Sequence, residues 1–195
     1  MAATYEGGSG DEIIRPINWN LLTAEEAQGE WLDLNAWVDW LRHAYGLAVA
    51  VIPPLWHRHD ELVWELSALH TAWLNAYDPE APPSAPLAWH REFAEARQRL
   101  RDWVTTCGTK LDRDRPTRQA AWPGEPPTVS PVEQAIENRD GDFKEFVRDD
   151  LTARRQLEDE ARDVAHERAR DLMDRLGGAD DSSRWRFGSQ LSTDL

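Results

Sequence analysis

Four of the six histidines, His57, His59, His70 and His90, stand in one stretch of the chain. Imidazole is the side chain best suited to ligate a metal or carry a proton near neutral pH. Their spacing argues against a metal. On a helix His57 and His59 would lie about 200° apart, and His59 and His70, though on one face, would be roughly 16 Å apart along the axis. His57 and Glu61 are one turn apart and would supply two ligands, with His90 of a following helix as a third. Neither HExxH nor the Glu-x-x-His pairs of carboxylate-bridged dimetal helices occur. The expectation is therefore no metal and no cofactor. His59 and His70 are expected at the edge of the core, their rings packed on tryptophan and their nitrogens reaching a carboxylate or carbonyl.

Other reactive groups are equally bland by position. Glu65 lies at the margin of an apolar stripe, where a carboxylate is either exposed or paired. Arg58, His90, Arg97 and Arg99 are its candidate partners, and a Glu–His or Glu–Arg bond that sets helix register is the favoured role. Acid–base catalysis would need a second positioned group and a cleft, and neither is readable. Cys107, the single cysteine, falls at a helix C-terminus, the wrong end of the dipole to stabilise a thiolate. The Gly7-Gly8-x-Gly10 run precedes no strand–helix unit and is no phosphate loop. The segment Trp89 to Trp103 (WHREFAEARQRLRDW) carries Arg91, Arg97, Arg99 and Arg101 among aromatics, a combination that can bind nucleic acid. Glu92, Glu95 and Asp102 are interleaved there, and the net charge of −14 repels phosphate backbones and anionic membranes. The simpler reading is a solvated, ion-paired helix face.

The elements that must position these residues are helical. From Pro53 to Tyr77, Leu55, Leu62, Leu66, Leu69 and Trp73 fall on one stripe at 100° per residue, edged by Val63, His59, His70 and Tyr77. This predicts a central helix over about 55–77, entered through Pro53-Pro54 and stopped before Asp78-Pro79. Before it, Thr23-Ala-Glu-Glu26 is a capping-box pattern that opens a helix over about 23–45. That helix carries the stripe Ala27, Trp31, Leu34, Val38, Leu41 and Tyr45, with Trp37 on its flank and Gly46 suited to the positive-φ end. Trp40 points away from the stripe. Leu47 to Ile52 reads as a buried extended connection, since no other segment offers a pairing strand. A third helix is predicted over about 87–106, with Leu87, His90, Phe93, Ala94, Arg97, Leu100 and Val104 on one side, Trp89, Ala96 and Trp103 beside them, and Gly108 ending it.

The remainder is of different composition. Residues 1–18 read as a disordered lead-in, and the start lacks the basic and apolar run of a signal peptide. The longest apolar run is about half a membrane span. Residues 109–130 are proline-rich without apolar period, a linker. Ser130-Pro131-Val132-Glu133 suggests a capped start to a charged helical arm over 131–177, bent or broken near Asp140-Gly141. Gly177-Gly178 ends the arm, and 178–195 reads as a disordered tail. Of eleven tryptophans, nine lie between Trp19 and Trp103, which places the folded domain at 19–108. The expected architecture is all-α: a small three-helix, tryptophan-rich bundle, a linker and an arm.

Pro53-Pro54-Leu55-Trp56 with His59, then Glu65-Leu66-Ser67-Ala68-Leu69-His70 and Trp73, resembles an uncharacterised actinobacterial domain family. Trp89-His90 and Arg99-Leu100-Arg101-Asp102-Trp103 extend the resemblance, which covers about Trp31 to Trp103. The family is associated with plasmids, integrative conjugative elements and phages, so the resemblance implies an accessory protein of a mobile element. It implies no activity.

These readings converge on a cytoplasmic, non-enzymatic interaction or adaptor protein. Its protein partner would meet exposed tryptophans such as Trp40 or Trp64 and, as a second contact, the arm. Trp56, Trp89 and Trp103 join His59, Glu65, His70 and His90 as candidate structural or interaction residues. A nucleic-acid-associated factor using Arg91–Arg101, and a metal-dependent enzyme using His57, Glu61 and His90, are the alternatives.

Overall fold

The computed structural model describes residues 15–126, 128 and 132–180. Its elements are α1 (Ala24–Ala44), a 3-10 turn (Trp56–Arg58), α2 (Asp60–Ala76), α3 (Ala85–Cys107), β1 (Arg113–Asp114), β2 (Gln134–Ala135) and α4 (Arg139–Asp180). The protein is mostly helical, in line with the all-α expectation, and one two-stranded antiparallel pairing is present among the described residues. No described helix is long and apolar enough to cross a membrane. By its internal contacts the chain divides into Met1–Leu151 and Thr152–Leu195.

Within the first unit, helix starts and stops follow local chemistry. Thr23 caps α1 reciprocally: its hydroxyl accepts from the Glu26 N–H at 3.2 Å, while the Glu26 carboxylate accepts from the Thr23 N–H at 2.8 Å. Gly46 (φ 59°) and Gly108 (φ 83°) take the left-handed conformation just beyond α1 and α3, where a side chain would strain the backbone. α2 packs against both α1 and α3. Its buried residues, Leu62, Val63, Leu66 and Leu69, follow the predicted stripe, and Trp31, Leu34, Trp37, Val38 and Leu41 line the buried side of α1. Fully burying one such large apolar side chain contributes about 1.5–3 kcal/mol.

Three expectations change here. The central helix begins at Asp60, not at Leu55. Residues 53–59 form instead a tight turn in which His59 is extended (φ −129°, ψ 106°), and the Trp56, Arg58 and His59 N–H groups donate to carbonyls three residues back. Leu47–Ile52 closes as a hydrogen-bonded turn, with the Val51 and Ile52 N–H groups both donating to the Ala48 carbonyl, so it is not an extended connection. α3 is also rotated from its expected stripe. Trp89, Phe93, Ala96, Leu100 and Cys107 are buried, whereas Leu87 is 69% exposed.

The segment after Gly108 is tied to the first unit. Thr109 and Asp114 are buried, and Arg113 and Asp114 pair with Ala135 and Gln134. Ser130 and Pro131 lie outside the described residues, and Glu133 of the expected cap meets Lys110 and Arg113 instead. α4 starts at the place where a break was expected: the Asn138 side chain accepts from the Gly141 N–H at 3.0 Å and caps the first turn. Phe143, Val147 and Leu151 of its first turns join the core. The lead-in ends at Ile17, which packs on that core; residues 1–14 lie outside the described residues.

The second unit, taken separately, is the continuation of α4. The helix runs through Gly177-Gly178 to Asp180, past its expected end, and the tail expected beyond it, residues 181–195, lies outside the described residues. Leu157, Leu172, Met173 and Leu176 are exposed. Short-range pairs such as Arg162–Asp159 at 2.7 Å support it by a few tenths of a kcal/mol each.

Candidate functional site

Two groupings of the chemistry-bearing residues emerge, one half-exposed and one buried. The first is a closed circuit of aromatic rings. Trp40 of α1 lies 5.1 Å from Trp73 of α2, and Trp73 lies 5.4 Å from Tyr77. Tyr77 lies 6.4 Å from Trp89 of α3, Trp89 lies 6.0 Å from Tyr45, and Tyr45 returns to Trp40 at 6.3 Å. Trp89 is buried, while Trp40, Tyr45 and Tyr77 are 43%, 38% and 46% exposed. The Tyr45 hydroxyl meets His90 Nε2 at 3.3 Å. Helix geometry explains the juxtaposition. Tyr45 and Tyr77 are the residues that cap the C-termini of α1 and α2, and Trp89 lies near the start of α3. The circuit therefore gathers at the carbonyl-rich ends of two helices, which favour positive charge, and near the start of a third, which acts in the opposite sense.

Beneath the circuit, His70 stacks on Trp37 with ring centroids 4.9 Å apart. Its ring packs on tryptophan as expected, but Nε2 has no partner, so no carboxylate or carbonyl satisfies that atom. Burial alone lowers its pKa to about 4. The ring is neutral at pH 7.

The second grouping is a polar junction around the turn at 56–61. His57 Nε2 donates to Asp142 Oδ2 at 2.8 Å, and Arg58 grips the same carboxylate through Nε at 2.9 Å and through Nη2. Phe143 and Phe146 meet the His57 ring edge-on at 5.2 and 5.3 Å. Burial outweighs the Asp142 hydrogen bond and lowers the His57 pKa to about 4, with Arg139 and Arg58 adding to the effect. His59, the next residue but one, differs. Its Nε2 meets Asp114 Oδ1 at 2.7 Å, and its Nδ1 meets the Thr117 hydroxyl at 3.0 Å. That hydroxyl donates to Glu61 Oε1 at 2.7 Å. Burial disfavours the His59 cation, yet the bonds to Asp114 and Cys107 prevail and raise its pKa to about 9. Asp142 is shared between His57 and a bidentate Arg58, whereas Asp114 serves His59 without a guanidinium bonded to it.

The remaining candidates fall outside both groupings. Glu65 accepts three hydrogen bonds from Arg99, the shortest 2.7 Å, so of the four candidate partners it is Arg99 that joins α3 to α2 there. Trp56 is fully buried core. Trp64 and Trp103 are 38% and 43% exposed, but stand apart from the circuit. The arginines of α3 are largely engaged within the protein. Arg99 is held by Glu65, Arg97 lies 5.9 Å over the Phe93 ring, and Arg101 reaches Gln98 at 3.5 Å.

The trio His57, Glu61 and His90 of the metal-enzyme alternative is not assembled, because His57 turns to Asp142 and His90 to Tyr45. The metal-competent group among the described residues is His59, Glu61 and Cys107. Helical-wheel spacing misses it, since His59 is not in the helix and Cys107 comes from another element. Asp114 lies in a segment without apolar period, and Asp142 stands beside the apolar patch Phe143, Phe146, Val147 and Leu151 of α4, but neither carboxylate's partner is signalled locally.

No family model, no curated protein and no solved structure matches this chain.

Proposed function

We propose that the protein is a non-enzymatic interaction or adaptor protein that engages a basic segment of a protein partner through the Trp40–Tyr45–Trp73–Tyr77–Trp89 circuit. The observation that carries this reading is the closure of the circuit around partly exposed rings. Aromatic faces are negative and attract a guanidinium or ammonium by about 0.5–2 kcal/mol each. Two helix C-termini and a net charge of −14 act in the same sense. Tryptophan and tyrosine are also the residues most often found at binding hot spots. On this reading the three helices act as a bundle that presents the circuit, and α4 beyond Thr152 is a second contact. The mobile-element setting implied by the resemblance fits an accessory role of this kind, with the cytoplasm as its compartment.

The test is tryptophan fluorescence titration of the full chain with an arginine- and lysine-rich peptide, and with its glutamate counterpart. Saturable binding of the basic peptide alone, weakened at least about tenfold by Tyr77→Ala, supports the reading. Equal response to both peptides, or no effect of Tyr77→Ala, overturns it.

A further inference from the structure

We propose that His59, Glu61 and Cys107 form a binding site for a divalent cation of the zinc class, which clips the start of α2 to the end of α3. One ligand atom from each residue lies within 4.8 Å of the others, and Cys107 is brought to the neighbouring pair His59 and Glu61 from the far end of α3. The donor set of one imidazole nitrogen, one carboxylate oxygen and one thiolate sulfur suits zinc, which accepts all three at about 2.0–2.3 Å. Calcium and magnesium, which take oxygen ligands, do not fit it.

The orientation of His59 adds an independent argument. Its Nε2 is held at 2.7 Å by Asp114, itself buried. This is the arrangement in which a carboxylate fixes the ring of a metal-ligating histidine and raises its basicity. The other nitrogen, Nδ1, faces Glu61 Oε1 at 4.0 Å. The Thr117 hydroxyl lies between them, 3.0 Å from Nδ1 and 2.7 Å from Oε1. The hydroxyl thus bridges the two atoms that the cation would bridge. His59 and Cys107 are buried and the Glu61 side chain is 17% exposed, so the cation enters past Glu61.

Binding replaces protons and transfers no electrons. The cation takes the place of the proton on Cys107 Sγ and of any proton on His59 Nδ1, and these leave to solvent. Thr117 gives up one of its two bonds. The approach needed is about 1 Å, because ligands of a tetrahedral zinc stand about 3.2–3.8 Å apart. The product is a cross-link between α2, α3 and the segment that carries Asp114, which is a structural rather than a catalytic role.

Cobalt(II) is the probe, since it takes zinc sites and its thiolate bond absorbs in the near ultraviolet. The full untagged chain, stripped with chelator, is titrated with cobalt and then back-titrated with zinc. The expected result is one cobalt per chain, a sulfur-to-cobalt charge-transfer band, and loss of that band on adding zinc. Cys107→Ser abolishes the band. Glu61→Gln, which keeps an oxygen to accept the Thr117 hydroxyl bond at a partly exposed position, keeps the band but weakens cobalt binding at least about tenfold. The exposed His43→Ala leaves both unchanged. Absence of a charge-transfer band in the unmodified chain overturns the proposal, as does cobalt affinity unchanged in Glu61→Gln. Either result leaves the Thr117-bridged hydrogen bonds as the whole role of the cluster.

Discussion

The polar junction around His59 and the aromatic circuit around Trp40 are made of similar stock, rings and hydrogen-bonding groups drawn from several elements. They differ in who completes them. At the junction the chain supplies most of its own partners: Asp114 and Thr117 for His59, Asp142 for Arg58 and for His57 Nε2, with His57 Nδ1 left unpaired among the described residues. At the circuit the rings touch one another, and three of the five keep more than a third of their surface exposed. A group completed from within serves stability, because removing one partner leaves a buried donor or charge uncompensated. A group left open costs little to truncate and is free to serve binding. The two regions should therefore respond oppositely to substitution.

The largest effect is expected at the junction. Asp114→Ala leaves the His59 cation buried without its carboxylate and should cost about 3–5 kcal/mol in urea unfolding measured with chelator present, while peptide binding to the circuit is unchanged. A loss below about 1 kcal/mol would show that water reaches His59, and would erase the contrast.

His70 sharpens the comparison from beneath the circuit. Its folded pKa, about 4, lies below the ordinary value of 6.5. Its neutral form therefore adds stability in full above pH 6.5, and that contribution fades as pH falls from 6.5 toward 4. The loss is about 3 kcal/mol at most. Asp114 and Asp142 are held below the usual carboxylate range, each by bonds to cationic partners that outweigh burial, so they stay ionised over most of this window. His70→Phe keeps the stack on Trp37 and should visibly flatten the acid limb of stability against pH. An unchanged limb would mean that His70 is already protonated in the fold.

Asp142→Asn is expected to cost about 1–3 kcal/mol, less than Asp114→Ala, because Arg58 can turn its partly exposed guanidinium to water. A larger loss than at Asp114 would reverse the ranking of the two carboxylates. Trp40→Ala should cost only about 1 kcal/mol of stability, since much of the ring is already in water, yet weaken binding of the basic peptide. The smallest effect is at Arg99. Arg99→Ala removes a half-exposed ion pair with Glu65 and should change stability by no more than about 1 kcal/mol, measured by the same unfolding curves.

The helical elements and the buried faces of α1 and α2 were legible because apolar residues at helical spacing report their own periodicity. The Thr23–Glu26 box and the glycine ends at Gly46 and Gly108 were legible because caps are local chemistry. The Glu65–Arg99 pair was readable as one of four choices, and Trp40 as a ring turned off its stripe. The partners of the histidines were not. Asp114 and Asp142 are 55 and 85 residues from His59 and His57, and nothing local marks a carboxylate in a charge-dense stretch as a partner over that distance. His57 and His59 also lie in the turn before α2 and not in the helix on which their spacing had been measured, so a wheel could not place them. Short-range order follows from propensity and periodicity along the chain. The closure of the aromatic circuit and the meeting of His59, Glu61 and Cys107 depend on how helices pack, and packing is set by the whole core at once.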